Sequence, residues 1–291
     1  LQAAVLFALT EAAEKEGHVY LPKGVLIERV LELTGLEAEM ETGQKFLVES
    51  AIFALRTEQG KRTVQVTADR VDEVEVIYLR WLWRAEEGVV AHLVRLLTES
   101  TWTVNLPAYD TEADGELAEL AELNDDQREA ISTALNEPIS ILTGGPGTGK
   151  SFTMKALIGA LEESETTYVL CAPTGRAAKR LAESTGRGAK TIHRTIGYVP
   201  GEADEDDGFD EYPDDREKRE IDTAEFVIVD EASMVDISLA NRLLKAIPNG
   251  AHLLLVGDVD QLPPVGAGNF LRDAIDSGVI PVTRLTQIYR Q

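Results

Sequence analysis

Gly144-Gly145-Pro146-Gly147-Thr148-Gly149-Lys150-Ser151 fits the pattern G-x-x-x-x-G-K-[ST], a loop that holds phosphate. Glycines let backbone N–H groups turn inward round an anion, at φ values that a Cβ would forbid. The following helix points its positive end at the same anion. In this reading Lys150 reaches the β- and γ-phosphates of a nucleotide, and the Ser151 hydroxyl sits on Mg²⁺. The flanks agree. Residues 138–143 (PISILT) form a short apolar run suited to a buried parallel strand. Phe152 to Glu163 reads as a helix with Ala156, Leu157, Ala160 and Leu161 on one face.

The pattern continues on both sides of the loop. Asn124 reads as a helix N-cap with Gln127 at the third position, as in a capping box. Strands are predicted over 139–143, 167–171, 226–229, 252–256 and 282–285, with helices between them. That alternation implies an α/β fold, a parallel sheet with helices on both faces. Chemistry then belongs beyond the carboxyl ends of the strands.

Phe226-Val227-Ile228-Val229-Asp230-Glu231 is an apolar strand ending in two carboxylates. Asp230 would hold Mg²⁺ through its water shell. Glu231 would orient and deprotonate an attacking water. Leu253 to Asp258 ends another strand and runs into Val259-Asp260-Gln261-Leu262-Pro263-Pro264. There the neutral Gln261 amide can sense a γ-phosphate, and the paired prolines stiffen the segment. Between these motifs, Cys171 to Tyr198 carries six basic residues (Arg176, Lys179, Arg180, Arg187, Lys190, Arg194) against Glu183. Hydroxyls and backbone amides interleaved with cations suit a nucleic-acid phosphate track.

The front of the chain reads differently. Helices are predicted over 1–16, 23–33 and 43–57, then a ribbon of 63–66 and 74–78 around 68–72, then a helix over 79–100. Three helices and a two-stranded wing outline a winged-helix-like module, 1–106. Such modules serve as protein scaffolds or bind DNA; Glu49 beside Lys45 and Arg56 favours the scaffold. Trp81 and Trp83 read as packing residues rather than base-stacking platforms. A polar linker follows at 107–116, and the α/β lobe occupies 117–291.

The formal charge is −23 over 291 residues, which taken alone disfavours a nucleic-acid partner, but distribution outweighs the sum because charges are screened beyond about 8 Å. Residues 201–222 hold twelve acidic side chains against three basic ones, net −9, and read as a solvated insertion. The single Cys171 excludes an internal disulfide and sits among apolar neighbours. No apolar run approaches the roughly 18 residues of a membrane span. The chain lacks a signal-peptide start and is expected to be a fragment of a cytoplasmic protein.

GGPGTGKS, APTGRAAKRL, TIHR, VIVDEASMVD, GDVDQLPPVGAG and LTQIYRQ stand in the order seen in RecD-like superfamily-1 DNA helicases. The chain resembles the stand-alone RecD relatives over about 117–291, and its helical front end is similar to the module preceding their motor. The resemblance implies a RecA-like P-loop NTPase lobe with ATP and Mg²⁺ as cofactors. It implies an ATP-dependent DNA helicase of repair and recombination, moving 5′-to-3′, with single-stranded DNA and duplex/single-strand junctions as partners.

The resemblance also implies roles. Gln127 would bond the adenine edge and Tyr289 would stack near the base, while Gly145, Pro146, Gly147, Thr148, Gly149 and Lys150 would hold phosphates. Ser151 and Asp230 would face Mg²⁺; Glu231 would be the base, Gln261 the γ-phosphate sensor, and Arg290 a further γ-phosphate contact. Pro173, Thr174, Arg176, Thr191, His193 and Arg194 are similar to the family's single-strand contacts. The family splits duplexes with a β-hairpin in the slot that here holds the acidic 201–222 segment; whether that segment is such a wedge stays open. The chain ends at Gln291, where the resemblance implies that a second RecA-like lobe begins, so residues 1–291 alone are expected to bind nucleotide, hydrolyse it poorly and not translocate. Two alternatives remain, an ATP-dependent remodeller without processive unwinding and a nucleotide-gated scaffold.

Overall fold

The computed structural model describes residues 1–35, 41–56, 64–99, 123–198 and 219–289. The chain forms two compact units. One comprises Leu1–Val89 with Asp236–Ser238 and Pro264–Gly268; the other comprises Val90–Val235, Leu239–Pro263 and Asn269–Gln291.

In the first unit, α1 (Gln2–Glu16) closes at Gly17 as expected, and α2 (Lys23–Thr34) starts after Pro22. With α3 (Glu41–Arg56) they enclose Val5, Leu9, Leu26, Val30, Val48 and Ile52. The wing differs from its expected position. β2 (Val66–Val71) runs through the stretch expected to be a loop and pairs antiparallel with β3 (Val74–Leu79). Its turn is only Asp72-Glu73, both left-handed with φ 48° and 67°. Turns of that hand normally carry Asn-Gly, so this one gave no local signal. A third strand, β1 (Tyr20–Pro22), joins the other side of β3.

The cations of this unit serve its own carboxylates: Lys23 Nζ lies 3.0 Å from Glu49 and 3.1 Å from Glu75, and Arg56 lies 3.7 Å from Glu75. Trp83, on α4 (Arg80–Glu99), donates to Asp69 Oδ2 at 3.1 Å, as a packing residue does. Trp81 departs from that expectation and is half exposed.

The second unit is a six-stranded sheet whose strands all run parallel. It is built from β4 (Ile139–Gly144), β5 (Tyr168–Ala172), β6 (Lys190–Thr191), β7 (Phe226–Val229), β8 (His252–Gly257) and β9 (Val282–Leu285), in spatial order β6-β5-β7-β8-β4-β9. Successive side chains point to opposite faces. One set, with Leu142, Leu170, Phe226, Ile228, Leu254 and Val256, packs under α5 (Asp125–Asn136), α6 (Lys150–Glu163) and α7 (Gly175–Thr185). The alternate set (Ile141, Val169, Val227, Val229, Leu253, Leu255) is equally buried, so the sheet is covered on both faces. β6 escaped the sequence reading because two residues carry no periodicity.

The later half of α4 is tied to this unit by Arg95, which donates to the carbonyls of Leu244 at 2.7 Å and Ile247 at 3.0 Å. Those carbonyls end α9 (Ile237–Ala246) and lack helical partners. The expected linker at 107–116 and residues 201–218 of the acidic segment lie outside the described residues. Its tail, Glu220–Thr223, is a single 3₁₀ turn closed by Arg219 on Asp222. Among the described residues no helix is long and apolar enough to cross a membrane.

Candidate functional site

Because the sheet is parallel, the loops after β4, β5, β7 and β8 all emerge at one edge. The glycine-rich loop turns there through Gly147 (φ 77°) and Gly149 (φ 92°) into the N-terminus of α6. Two constraints make Gly149 necessary. Its φ is left-handed, and a Cβ on it would stand 2.5 Å from Gln127 Nε2. Lys150 Nζ lies within the loop, donating to the carbonyls of Gly144 at 2.5 Å and Gly145 at 3.0 Å. Thr148 Oγ1 donates to Gly145 O at 2.8 Å, which closes the turn. Ser151, at the exposed first turn of α6, offers a hydroxyl.

Gln127 and Tyr289 meet beside this loop. The capping box forms as predicted: Gln127 N donates to Asn124 Oδ1 at 2.8 Å, and Asn124 N donates to Gln127 Oε1 at 3.0 Å. Tyr289 N donates to Gly147 O at 3.0 Å. Asn124 Nδ2 reaches the Tyr289 hydroxyl and, at 3.3 Å, Gln287 Oε1. The sequence marked Asn124 only as a cap; that it also holds Tyr289 depends on a contact 165 residues away. Arg290 lies outside the described residues.

Asp230 and Glu231 follow β7. Asp230 N donates to Cys171 O at 2.9 Å, extending the β5–β7 ladder by one rung. Glu231 N donates to Asp230 Oδ1 at 2.9 Å. Glu231 itself is left-handed at φ 52°. A non-glycine residue held there costs about 1–3 kcal/mol, the kind of strain that concentrates at functional sites. Gly257, at the end of β8, permits this turn to pack close, since a Cβ would stand 2.6 Å from Leu271 Cδ2 and 3.1 Å from Ser233 N.

Burial pushes the Asp230 carboxyl up from 3.8 to about 6, opposed first by the hydrogen bond from Glu231 N, with the Glu231 charge adding to the rise and Lys150 and Arg180 opposing it further. A carboxyl raised in the fold is destabilising when ionised. The penalty is absent below pH 3.8, grows as pH rises towards 6, and is fully present at pH 7. Asp230→Asn is therefore expected to stabilise the nucleotide-free, metal-free protein at pH 7 by up to about 3 kcal/mol. Thermal melts at pH 7 and pH 4 check this: the gain should disappear at the lower pH.

Gln261 is tethered by a neighbour whose role the sequence did not reveal. Its Nε2 donates to Asp258 Oδ2 at 3.3 Å, and its N donates to Asp258 O at 3.2 Å. Asp258 is buried and also accepts from Asp260 N at 3.1 Å.

The basic stretch splits into two jobs. Arg187 grips Glu162 at 3.1 and 2.6 Å, and Lys190 pairs with Glu220 at 2.7 Å, so two of its six cations are structural. β5 and β6 run side by side, with Ala172 opposite Thr191. The helices after them, α7 and α8 (Ile192–Thr195), consequently start side by side, each behind a threonine N-cap. Thr174 Oγ1 accepts from Ala177 N at 3.2 Å, and Thr191 Oγ1 accepts from Arg194 N at 3.3 Å. Pro173, Thr174 and Arg176 are thus gathered next to Thr191, His193 and Arg194. Arg176 and Arg194 are exposed and unpaired among the described residues. The His193 ring leans on Tyr198, centroids 5.6 Å apart. Cys171 is buried, its thiol pushed up to about 12, which leaves it inert as expected. Among the described residues no His/Cys/Asp/Glu cluster could by itself hold a metal ion.

Residues 127–267 match the family described as AAA domain. The chain is 36% identical to the ATP-dependent RecD2 DNA helicase of Deinococcus radiodurans, over 100% of this chain and 38% of that protein. It is 36% identical to the RecBCD enzyme subunit RecD of Mycobacterium tuberculosis, over 69% of this chain and 36% of that one. The chain thus spans little more than a third of these relatives' length. A crystal structure of Bacteroides sp Pif1 with ADP-AlF4 aligns with TM-score 0.42 and 23% identity over 58% of this chain and 43% of that one, too loosely to carry weight. With the RecD identity running across both units and the glycine-rich loop, carboxylate pair and glutamine loop assembled on one parallel sheet, the chain is similar to the RecD-like superfamily-1 helicases.

Proposed function

We propose that this chain is the nucleotide-binding lobe, with its preceding module, of a cytoplasmic ATP-dependent DNA helicase that moves on single-stranded DNA, 5′-to-3′, in repair and recombination. One observation carries the reading. A phosphate loop, a carboxylate pair, a tethered glutamine and two hydroxyl-capped basic helix starts share one edge of one parallel sheet.

In this reading ATP lies along the loop, with its base between Gln127 and Tyr289. The backbone amides of 145–150 and the Lys150 ammonium hold its phosphates. Ser151 and Asp230 would hold Mg²⁺, Asp230 through the ion's water shell, and a site with so few protein ligands suits an ion that keeps several waters. Bound there, the ion would offset negative charge on the nucleotide's phosphates. Glu231 accepts a proton from water while the water oxygen bonds to the γ-phosphorus; the bond to the bridging oxygen breaks, and its electron pair leaves with ADP. Gln261, aimed by Asp258, donates to the γ-phosphate oxygens and so differs between the triphosphate and diphosphate states. Single-stranded DNA lies across 173–194, where Arg176 and Arg194 meet phosphates and the threonine-capped helix starts supply amides. The first unit, its cations engaged by Glu49 and Glu75, acts as a scaffold.

Strand-separation assays test this. The full-length protein is expected to unwind a duplex bearing a 5′ single-stranded DNA tail and not one bearing only a 3′ tail, with ATP required. ATP turnover stimulated by DNA without any unwinding would favour a remodeller. Turnover indifferent to DNA would leave a nucleotide-gated scaffold.

A further inference from the structure

Arg180 Nη1 stands 3.8 Å from Glu231 Oε1. The two belong to different motifs. Arg180 is on α7, the helix that opens the polynucleotide face, and Glu231 is on the turn after β7. They meet because β5 and β7 are neighbours, with Cys171 opposite Val229 and Asp230 N bonded to Cys171 O. The Arg180 side chain is 72% exposed, whereas that of Glu231 is 23% exposed. Its neighbours on α7 behave differently: Lys179 pairs within the helix with Glu183 at 3.7 Å, and Arg176 is unpaired. Arg176 and Arg180 are four residues apart and so lie on one side of the helix.

We propose that Arg180 is a positioning residue that makes hydrolysis answer to polynucleotide: without it the guanidinium holds the Glu231 carboxylate, and with it a strand phosphate takes the guanidinium and frees the carboxylate for the attacking water. The proposal rests on the reading of Glu231 as the base and of 173–194 as the polynucleotide face. Three physical points support it. The guanidinium lies against Glu231 Oε1, so an oxygen that must face the attacking water is engaged elsewhere. The pair is long and solvent-exposed on the arginine side, so little free energy opposes its exchange. Arginine binds phosphate through two parallel N–H donors, a better partner than one carboxylate oxygen at this distance. A strand phosphate that meets Arg176 lies one helical turn from Arg180, close enough to recruit it.

ATP turnover of full-length wild type, Arg180→Gln, Arg180→Lys and Glu231→Gln, each with and without saturating oligothymidylate, tests the proposal. Arg180→Gln is expected to raise the DNA-free rate roughly two- to five-fold, the span of an exposed ion pair, with little change in the DNA-saturated rate. The stimulation ratio falls accordingly, and Arg180→Lys restores most of it. A DNA-free rate that is unchanged or lower in Arg180→Gln overturns the proposal, including the case in which only the half-saturating oligothymidylate concentration rises. Should Glu231→Gln retain turnover, the base assignment itself fails. If Glu231→Gln abolishes turnover while Arg180→Gln leaves the ratio intact, only the coupling role fails. Arg180 is exposed enough for its variants to fold, which melting curves check.

Discussion

Glu231→Gln is expected to lower ATP turnover by about 10²–10⁴-fold, the usual contribution of a positioned general base, while nucleotide affinity stays close to wild type. The substitution keeps the size and left-handed backbone of the residue and removes only its capacity to take a proton. The fold should not suffer. Glu231 contributes to raising the neighbouring Asp230 carboxyl, so neutralising it relieves a buried charge rather than stranding one. Phosphate release under saturating ATP, beside equilibrium binding of a fluorescent ATP analogue, separates the two quantities. A variant that hydrolysed at the wild-type rate would remove Glu231 from the chemistry.

Lys150→Ala is expected to act on both quantities at once. Its ammonium lies inside the loop, 2.5 and 3.0 Å from two carbonyls, where it can meet phosphate oxygens without a large movement. Losing a charge-assisted hydrogen bond of about 1.5–3 kcal/mol weakens nucleotide binding about 10- to 150-fold. Removing a cation aimed at developing charge lowers turnover by a further factor of about 10²–10³. The same two assays therefore give different signatures. Glu231→Gln loses turnover alone, and Lys150→Ala loses affinity as well. Equal nucleotide affinity in Lys150→Ala and wild type would place the phosphates elsewhere.

Much of the second unit was legible because its strands are apolar runs ending in motif residues: 139–143, 226–229 and 252–256 each match a strand to within a residue or so. The capping box at Asn124 and Gln127 was equally clear, since its partners are three residues apart. What escaped is non-local. Arg187 and Lys190 read as members of a phosphate track, yet their acidic partners lie 25 and 30 residues away. Asn124 showed no role beyond capping until Tyr289 arrived from 165 residues away; Asp258, only three residues from Gln261, is the local exception, missed because no cap or periodic pattern marks that pair. The wing was misplaced by a turn whose residues, Asp72 and Glu73, seldom adopt the left-handed conformation it requires.

All of these assignments depend on the state of the phosphate loop being felt across residues 173–194. Affinity of the full-length protein for a fluorescent single-stranded oligonucleotide, titrated with ADP and then with a non-hydrolysable ATP mimic, measures that directly. Coupling of about 1–3 kcal/mol is expected, a change of roughly 5- to 150-fold in the dissociation constant, with the reciprocal change in nucleotide affinity when the oligonucleotide is bound. Identical oligonucleotide affinity in both states, together with ATP turnover that ignores the oligonucleotide, would contradict it.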